Sequence, residues 1–273
     1  MNGTLELTFD KQGNAGATRV ARLHQAAPLR ALFPETCRMD LPVAALTATC
    51  GGFTGGDHMT TRIEIGESAA AMAVAQAAEK LYRSKDGETR IDINLRVDAG
   101  GWLEWLPQET ILFDGARMRR NNRIELAGDA ALLAGEILVF GRAARGERMS
   151  RGLIHDGWSI RRDGTLVWAD RFHAEDDTLA AALEHPAALE GVRAAAMLVH
   201  AGPDAGSRLP LVREVLDAEP PGLRCAATVV NGVLIARWLA LDALDLRPSF
   251  AAAWTVLRNA RGLAPHLPTF WSH

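Results

Sequence analysis

Long hydrophobic runs are absent from this sequence of 273 residues, although 48% of its residues are hydrophobic. No apolar stretch reaches the roughly 18 residues that a membrane-spanning helix needs. The first ten residues, Met1 to Asp10, also lack the basic segment and apolar run of a secretory signal. The sequence therefore predicts a cytoplasmic protein that does not bind a membrane.

Cysteine is scarce and widely spaced. The sequence contains Cys37, Cys50 and Cys225, with no Cys-x-x-Cys pair among them. An odd number of distant cysteines is typical of free thiols in a reducing compartment. We expect Cys50, which precedes a Gly-Gly turn, to be a small packed residue rather than a metal ligand.

Lysine is nearly missing, since it occurs only at Lys11, Lys80 and Lys85 among 30 basic residues. The formal net charge is -3, so the chain has no basic excess with which to bind a polyanion. This argues against a nucleic-acid partner. The length predicts one domain over residues 1–273, with a strand-rich body at 1–172 and mixed strands and helices at 173–273.

The local motifs of common enzyme classes are missing too. Residues 51–56 are rich in glycine, but no Gly-Lys-Ser/Thr follows them as in a P-loop. We interpret them as a tight connection where two backbones approach closely. No Gly-x-Ser-x-Gly, His-Glu-x-x-His, His-x-His or i,i+4 histidine pair occurs, so we predict no catalytic residues and no stable metal site.

Alternation of apolar and polar residues, bounded by turn dipeptides such as Asp163-Gly164, dominates the first two thirds of the chain. It predicts strands at residues 5–9, 61–65, 91–97 and 124–126. Many short strands with regular turns are typical of an all-β sandwich, barrel or β-helix rather than of a βαβ protein.

Helical patterns begin only in the last third. We predict helices over residues 179–183, 209–218 and 248–262, from capping residues at their starts and a proline or glycine beyond their ends. Residues 195–199 and 226–239 read as two buried strands that flank the second helix.

Residues 101–116 place Glu104, Glu109 and Asp114 among apolar and aromatic residues. Acids in such surroundings are costly to bury without partners. Three interpretations remain open: ion pairs and solvated turns, a polar channel whose carboxylates are held by arginines, or a carbohydrate-active hydrolase. The hydrolase would use these three carboxylates with a sugar-stacking platform of Trp102 and Trp105.

This stretch belongs to the strongest of five blocks in which the sequence resembles the UreD (UreH) family of urease accessory proteins. The blocks occur in order at residues 50–57, 76–84, 102–116, 136–147 and 161–170. The third contains Leu-Glu-Trp-Leu-Pro-Gln-Glu-Thr-Ile-Leu-Phe-Asp-Gly-Ala. The last hundred residues resemble the family only loosely.

The resemblance implies a mainly β fold, an irregular β-helix or spiral of many short strands with a few α-helices in the C-terminal third. It also implies a non-enzymatic chaperone for nickel insertion into urease. The partners implied are UreF, the GTPase UreG and apo-urease (UreA, UreB and UreC), with two copies each of this chain, UreF and UreG in one complex. No tightly bound cofactor is expected, only transient Ni²⁺.

An internal passage for nickel, which the family has been thought to contain, favours the channel interpretation. Exchangeable oxygen ligands suit a cation in transit better than a closed thiolate site does. The candidate carboxylates along this path are Glu104, Glu109, Asp114, Glu136 and Glu147. The candidate organisers of those carboxylates are Tyr82, Arg83, Gln108 and Arg142.

The C-terminal helices are the candidate surface for UreF. We expect an exposed apolar patch on a chain that needs a partner. The residues predicted to form it are Leu211, Phe250, Trp254 and Leu257. The alternative is that these helices only cover an edge of the β body.

Overall fold

The computed structural model describes residues 1–12, 16–35, 40–142, 145–220 and 222–271. Cys37 therefore lies outside the described residues, while Cys50 and Cys225 are free thiols. Two large β-sheets and three α-helices make up the fold, which confirms the mainly β prediction. Among the described helices, none combines the length and apolar character that crossing a bilayer requires.

The strands follow one another closely along the chain. They are β1 Asn2–Lys11, β2 Thr18–Ala26, β3 Leu29–Leu32, β4 Val43–Ala48, β5 His58–Ile65, β6 Ala70–Ala75, β7 Glu79–Leu81, β8 Thr89–Val97, β9 Trp102–Leu106, β10 Glu109–Leu112, β11 Arg117–Leu126, β12 Ala131–Phe140, β13 Leu153–Arg162, β14 Thr165–Glu175, β15 Ala194–Ala201, β16 Arg224–Val230 and β17 Val233–Ala240. All four strands predicted from the first half of the chain fall inside β1, β5, β8 and β11.

The chain winds between two sheets. Sheet A has the order β14-β13-β11-β8-β5-β1-β2, and sheet B has the order β16-β17-β15-β12-β9-β6-β4-β3, with β10 beside β12 and β7 beside β10. From β5 to β12 the chain visits the two sheets in turn, and each strand pairs in parallel with the strand one coil later. Such stacked coils are those of a β-helix, as expected.

The core has two layers because sheet B is covered on both faces. Strand β12 is apolar on both sides: Leu132 and Leu138 face sheet A, while Leu133 and Ile137 face the C-terminal helices. A near-continuous hydrophobic strand is typical of a sheet buried on both faces. Sheet A buries only its inner face, which explains the clean alternation of its strands.

The helices are α1 Asp176–Glu184, α2 Ala205–Asp217 and α3 Ala243–Ala260, and a 3₁₀ turn, Thr269–Trp271, follows them. All three were expected, but α2 and α3 begin several residues earlier than the sequence predicts. Pro248 is not the start of α3, since it lies in the second turn. The helix begins after Asp242, whose carboxylate accepts a hydrogen bond from the Leu244 amide at 3.0 Å.

Residues 226–239 are not one strand, and that prediction is corrected. They contain a hairpin of β16 and β17, which turns at Asn231 and Gly232, both with positive φ. Asn-Gly is the preferred sequence for such a two-residue turn, so the signal is present in the sequence.

The apolar face of α3 packs against sheet B rather than facing a partner. Phe250 and Trp254 are fully buried and Leu257 is 3% exposed. Their assignment to a partner-binding surface is therefore wrong, because these side chains form the second core layer. Leu211 of α2 is partly exposed, and its role stays a prediction.

Candidate functional site: a polar cavity between the sheets

A cavity of about 230 Å³ lies between the two sheets at the end where β3, β4 and β7 meet the body. Much of its wall is apolar, with Leu5, Ile91, Ile93 and Trp105 among its lining residues. Its polar wall is formed by Glu79, Gln108, Thr110, Arg120, Asn122, Glu136 and the indole of Trp158. The lining continues outward to residues 50–52, so the cavity joins a buried polar group to a surface loop.

Arg120 organises the polar wall. Its Nε donates to Asp156 at 3.1 Å and its Nη1 donates to the Thr110 hydroxyl at 3.2 Å. Its Nη2 donates to both Asp156 and Glu136. Asn122 donates to Asp156 at 3.2 Å, so the buried guanidinium and carboxylate are both held in place.

The cluster contains more carboxylates than cations. Glu79, Glu136 and Asp156 share one guanidinium, so full ionisation would leave two negative charges beside the cavity. Burial raises the pKa of Glu136 well above its usual range, and the Asp156 charge adds to this, while Arg120 opposes it. Burial also raises the pKa of Glu79, partly offset by Arg120. Both shifts favour the protonated forms of these carboxyls.

One buried donor in the wall lacks an acceptor. The indole N–H of Trp158, a side chain 4% exposed, makes no hydrogen bond of acceptable geometry with the described residues. It is close enough to Glu136 to favour the ionised form of that carboxyl. A buried donor without an acceptor is rare in folded proteins.

The glycine loop forms the outer part of the cavity wall. The Phe53 amide donates to the Lys80 carbonyl at 2.8 Å, and Gly52 has a φ of 146°. A Cβ on Gly52 would lie 2.4 Å from the Lys80 oxygen, so only glycine lets the backbones meet. The interpretation of residues 51–56 as a close backbone approach is confirmed.

Glu104 lies outside the cavity. It points from β9 to the opposite face of sheet B, where its carboxylate accepts hydrogen bonds from Trp102 at 3.1 Å, Trp254 at 2.9 Å and Arg258 at 2.6 Å. Burial raises its pKa, and Arg258 and the two indoles oppose the rise. Its contacts join α3 to the sheet.

Glu109 also faces the C-terminal helices. Its partner is Arg247 of α3, whose Nη2 donates to the Gln108 oxygen at 2.9 Å. The Arg247 guanidinium stacks 4.2 Å from the centre of the Trp271 ring. Gln108 thus organises this contact while it also lines the cavity.

Asp114 and Glu147 lie at the surface rather than in a polar interior, which corrects that placement. The Asp114 carboxylate accepts from the Ser150 amide at 2.8 Å and from Arg83 at 3.1 Å. Although burial opposes it, these hydrogen bonds lower the Asp114 pKa. Glu147 accepts from the Asp114 amide at 3.1 Å and from Arg142, which lowers its pKa.

The predicted organisers Tyr82, Arg83 and Arg142 belong to this surface group. The Tyr82 hydroxyl donates to the Gly51 carbonyl at 2.6 Å, and its ring meets Phe113 edge to face at 5.0 Å. The Arg142 guanidinium lies over the Phe113 ring, 4.5 Å from its centre. Tyr82 therefore connects the surface group to the glycine loop of the cavity.

Of the five predicted carboxylates, Glu136 alone lines the cavity. The sequence alone assigned none of Glu79, Asn122, Arg120, Asp156 and Trp158 to a site, and Asp156-Gly157, predicted to be a turn, lies inside β13 instead. A signal was present in β11, where Met118, Arg120, Asn122 and Ile124 alternate on one face, so that two polar residues lie between two core residues.

The cavity is not a preformed metal cage. Within the described ranges, no group of three or more His, Cys, Asp or Glu side chains is placed to hold a metal ion. A sugar platform is absent as well, because Trp102 and Trp105 are only 2% and 7% exposed. The predicted stacking surface of a hydrolase is therefore wrong.

Comparison with known proteins agrees with the five sequence blocks. A family model described as UreD urease accessory protein matches residues 1–272. The chain is 39% identical to the urease accessory protein UreD of Magnetococcus marinus, over 99% of this chain and 94% of that protein. It is 43% identical to the protein of that name from a Methylobacterium species, over 94% and 89% of the two chains. The chain belongs to the UreD family of urease accessory proteins.

Proposed function

We propose that this chain acts in urease maturation as a chaperone that helps nickel reach the urease active site, and that the cavity between the sheets is part of the route. Membership of an accessory family supports the role in maturation. The observation that carries the route is the carboxylate-rich cavity wall around Arg120, which ends at a surface loop.

The wall has the chemistry of a transient site. Glu79 and Glu136 offer oxygen ligands, and a divalent cation that approaches them would displace their protons and offset the excess negative charge of the cluster. Because no third ligand is placed to complete a cage in the described part of the chain, such a cation would be held weakly and released. Weak, exchangeable binding is what transfer to another protein requires.

The proposed partners are UreF, the GTPase UreG and apo-urease. The described sequence offers no phosphate-binding loop, so nucleotide hydrolysis would belong to UreG. We propose an assembly with two copies each of this chain, UreF and UreG. Light scattering on the purified complex would measure that composition directly.

The route is tested with a matched pair of substitutions. Glu136 and Glu109 lie on neighbouring strands, are each paired with an arginine and have side chains 12% and 15% exposed, but only Glu136 lines the cavity. We expect Glu136→Gln to lower nickel-dependent urease activation at least fivefold and Glu109→Gln to change it less than twofold. Capture of UreF, UreG and apo-urease should be equal for both variants.

Equal activation by the two variants would overturn the route through the cavity. Failure of the wild-type chain to support activation, or to capture apo-urease, would overturn the role in maturation itself. A thermal unfolding scan of each variant separates a blocked route from a misfolded chain.

A further inference from the structure

A histidine pair lies on the outer face of sheet A, away from the cavity. His155 on β13 and His173 on β14 stand directly opposite each other in an antiparallel pairing. Their Nδ1 atoms are 3.2 Å apart and share a hydrogen bond, which a bound ion would replace, and the ring planes are inclined by 69°. The two histidines are 18 positions apart in the sequence, so no local motif predicts that they form a pair.

The separation of the two nitrogens suits a shared metal ion. Two imidazole nitrogens at about 2.1 Å from one ion and 3.2 Å from each other subtend about 100° at that ion, between the octahedral and tetrahedral angles. The strand pairing holds the two histidines opposite each other before any ion arrives. His173 is exposed and His155 is partly buried, so water can reach the position between them.

Burial favours the unprotonated imidazole that binds metals, whereas the neighbouring arginines favour that form but also repel a metal cation. Burial lowers the pKa of His155, and the charges of Arg119, Arg171 and His173 act in the same direction against a weaker opposite effect of Asp156. Arg119 donates to Glu88 at 2.8 Å, which reduces its repulsion of a cation. Imidazole is a preferred ligand of nickel, copper and zinc rather than of magnesium or calcium.

We propose that His155 and His173 form a two-imidazole site for a borderline first-row divalent cation such as Zn²⁺ or Ni²⁺. Water would complete the coordination, because no third His, Cys, Asp or Glu of the described chain joins them. The site would therefore bind reversibly. It does not depend on the function proposed for the cavity and is separate from it.

Zinc chloride titrated into the full chain tests the site, followed by the ring nitrogen signals of ¹⁵N-labelled histidine. Assignment comes from the single variants His155→Asn and His173→Asn. We expect the Nδ1 signals of His155 and His173 to move together and before any other histidine. Each substitution should weaken binding at the remaining imidazole at least tenfold, because two nitrogens no longer share the ion.

His58→Asn is the matched control. His58 lies on the same sheet face, two strands beyond Arg119, and its Nε2 is 2.9 Å from Asp92. This substitution should change the affinity measured at His155 less than twofold. Zinc that moves neither signal in the unsubstituted chain, or moves only one of them, would overturn the proposal, and that measurement requires no variant to fold.

Discussion

Glu104 and Arg258 form an ion pair of 2.6 Å in which both side chains are almost completely buried. The pair connects β9 of the β body with the last helix, α3. Arg258 also donates to Asp40 at 2.6 Å, and Trp254 donates to the same Glu104 oxygen, Oε2, that accepts from Arg258. The pair therefore fixes how α3 lies on sheet B.

Removing the cation from this pair should be costly. Arg258→Met leaves the Glu104 carboxylate buried without its guanidinium, so we expect the free energy of unfolding to fall by about 3–5 kcal/mol. The loss should grow as the pH rises, because burial already favours the protonated form of Glu104. Urea unfolding at several pH values measures it. The double variant Glu104→Gln with Arg258→Met should recover part of the loss, and no recovery would contradict the pairing.

A second titratable contact should make stability depend on acid. His200 and Arg208 both donate to Asp204 at 2.8 Å, and these contacts lower its pKa well below the usual range. Because the folded-state pKa is lowered, the contact stabilises the fold above the unfolded pKa of about 3.9 and loses this effect as the pH falls toward the folded value.

Asp204→Asn should therefore destabilise the protein most at neutral pH and progressively less as the pH falls below about 4. Unfolding free energies of both chains from pH 7 to pH 3 check this. The two curves should begin to converge below about pH 4, where the Asp204 carboxylate of the unfolded wild-type chain begins to bind a proton. A difference that stays constant over this range would mean that the charge of Asp204 contributes nothing.

The strands could be predicted better than the site. Leu5, Leu7 and Phe9 alternate with polar residues because sheet A is buried on one face, and such a pattern is visible in any single strand. The side chains that contact Glu104 and Glu136 cannot be predicted from such a pattern. Trp102, Glu104 and Trp105 are all buried because both faces of sheet B are covered. The sequence pattern of β9 therefore does not show which of these side chains faces α3.

The cavity could not be predicted from the sequence for a related reason. Glu136 meets Arg120 and Asp156 because β12 lies across from β11 and β13 in the other sheet. Which residues meet between the two sheets depends on how many residues each coil contains. The alternation of apolar and polar residues within a strand does not predict that number. The glycine loop could be interpreted in advance because its reason, a close approach of two backbones at Gly52, is a local one.

Gly52 should tolerate no side chain. Gly52→Ala would put a Cβ against the Lys80 carbonyl at a φ that non-glycine residues rarely adopt, so we expect a loss of about 1–3 kcal/mol. Gly206→Ala is the control. Gly206 lies in the first turn of α2 with open space around it, and alanine there should stabilise by roughly 0.4–1 kcal/mol. Urea midpoints of the two variants should move in opposite directions, and a shared direction would contradict the close approach at residue 52.

The two tryptophans that face buried carboxylates should respond differently to the same substitution. Trp254→Phe removes a hydrogen bond of 2.9 Å to Glu104, and a hydrogen bond to a charged group contributes about 1.5–3 kcal/mol. Trp158→Phe removes an indole N–H that has no acceptor among the described residues, so only the smaller ring volume should count. We therefore expect Trp254→Phe to lower the free energy of unfolding by at least about 1 kcal/mol more than Trp158→Phe does. Urea denaturation of both single variants measures the difference. Equal losses would show that the Trp158 N–H is already paired in the folded protein.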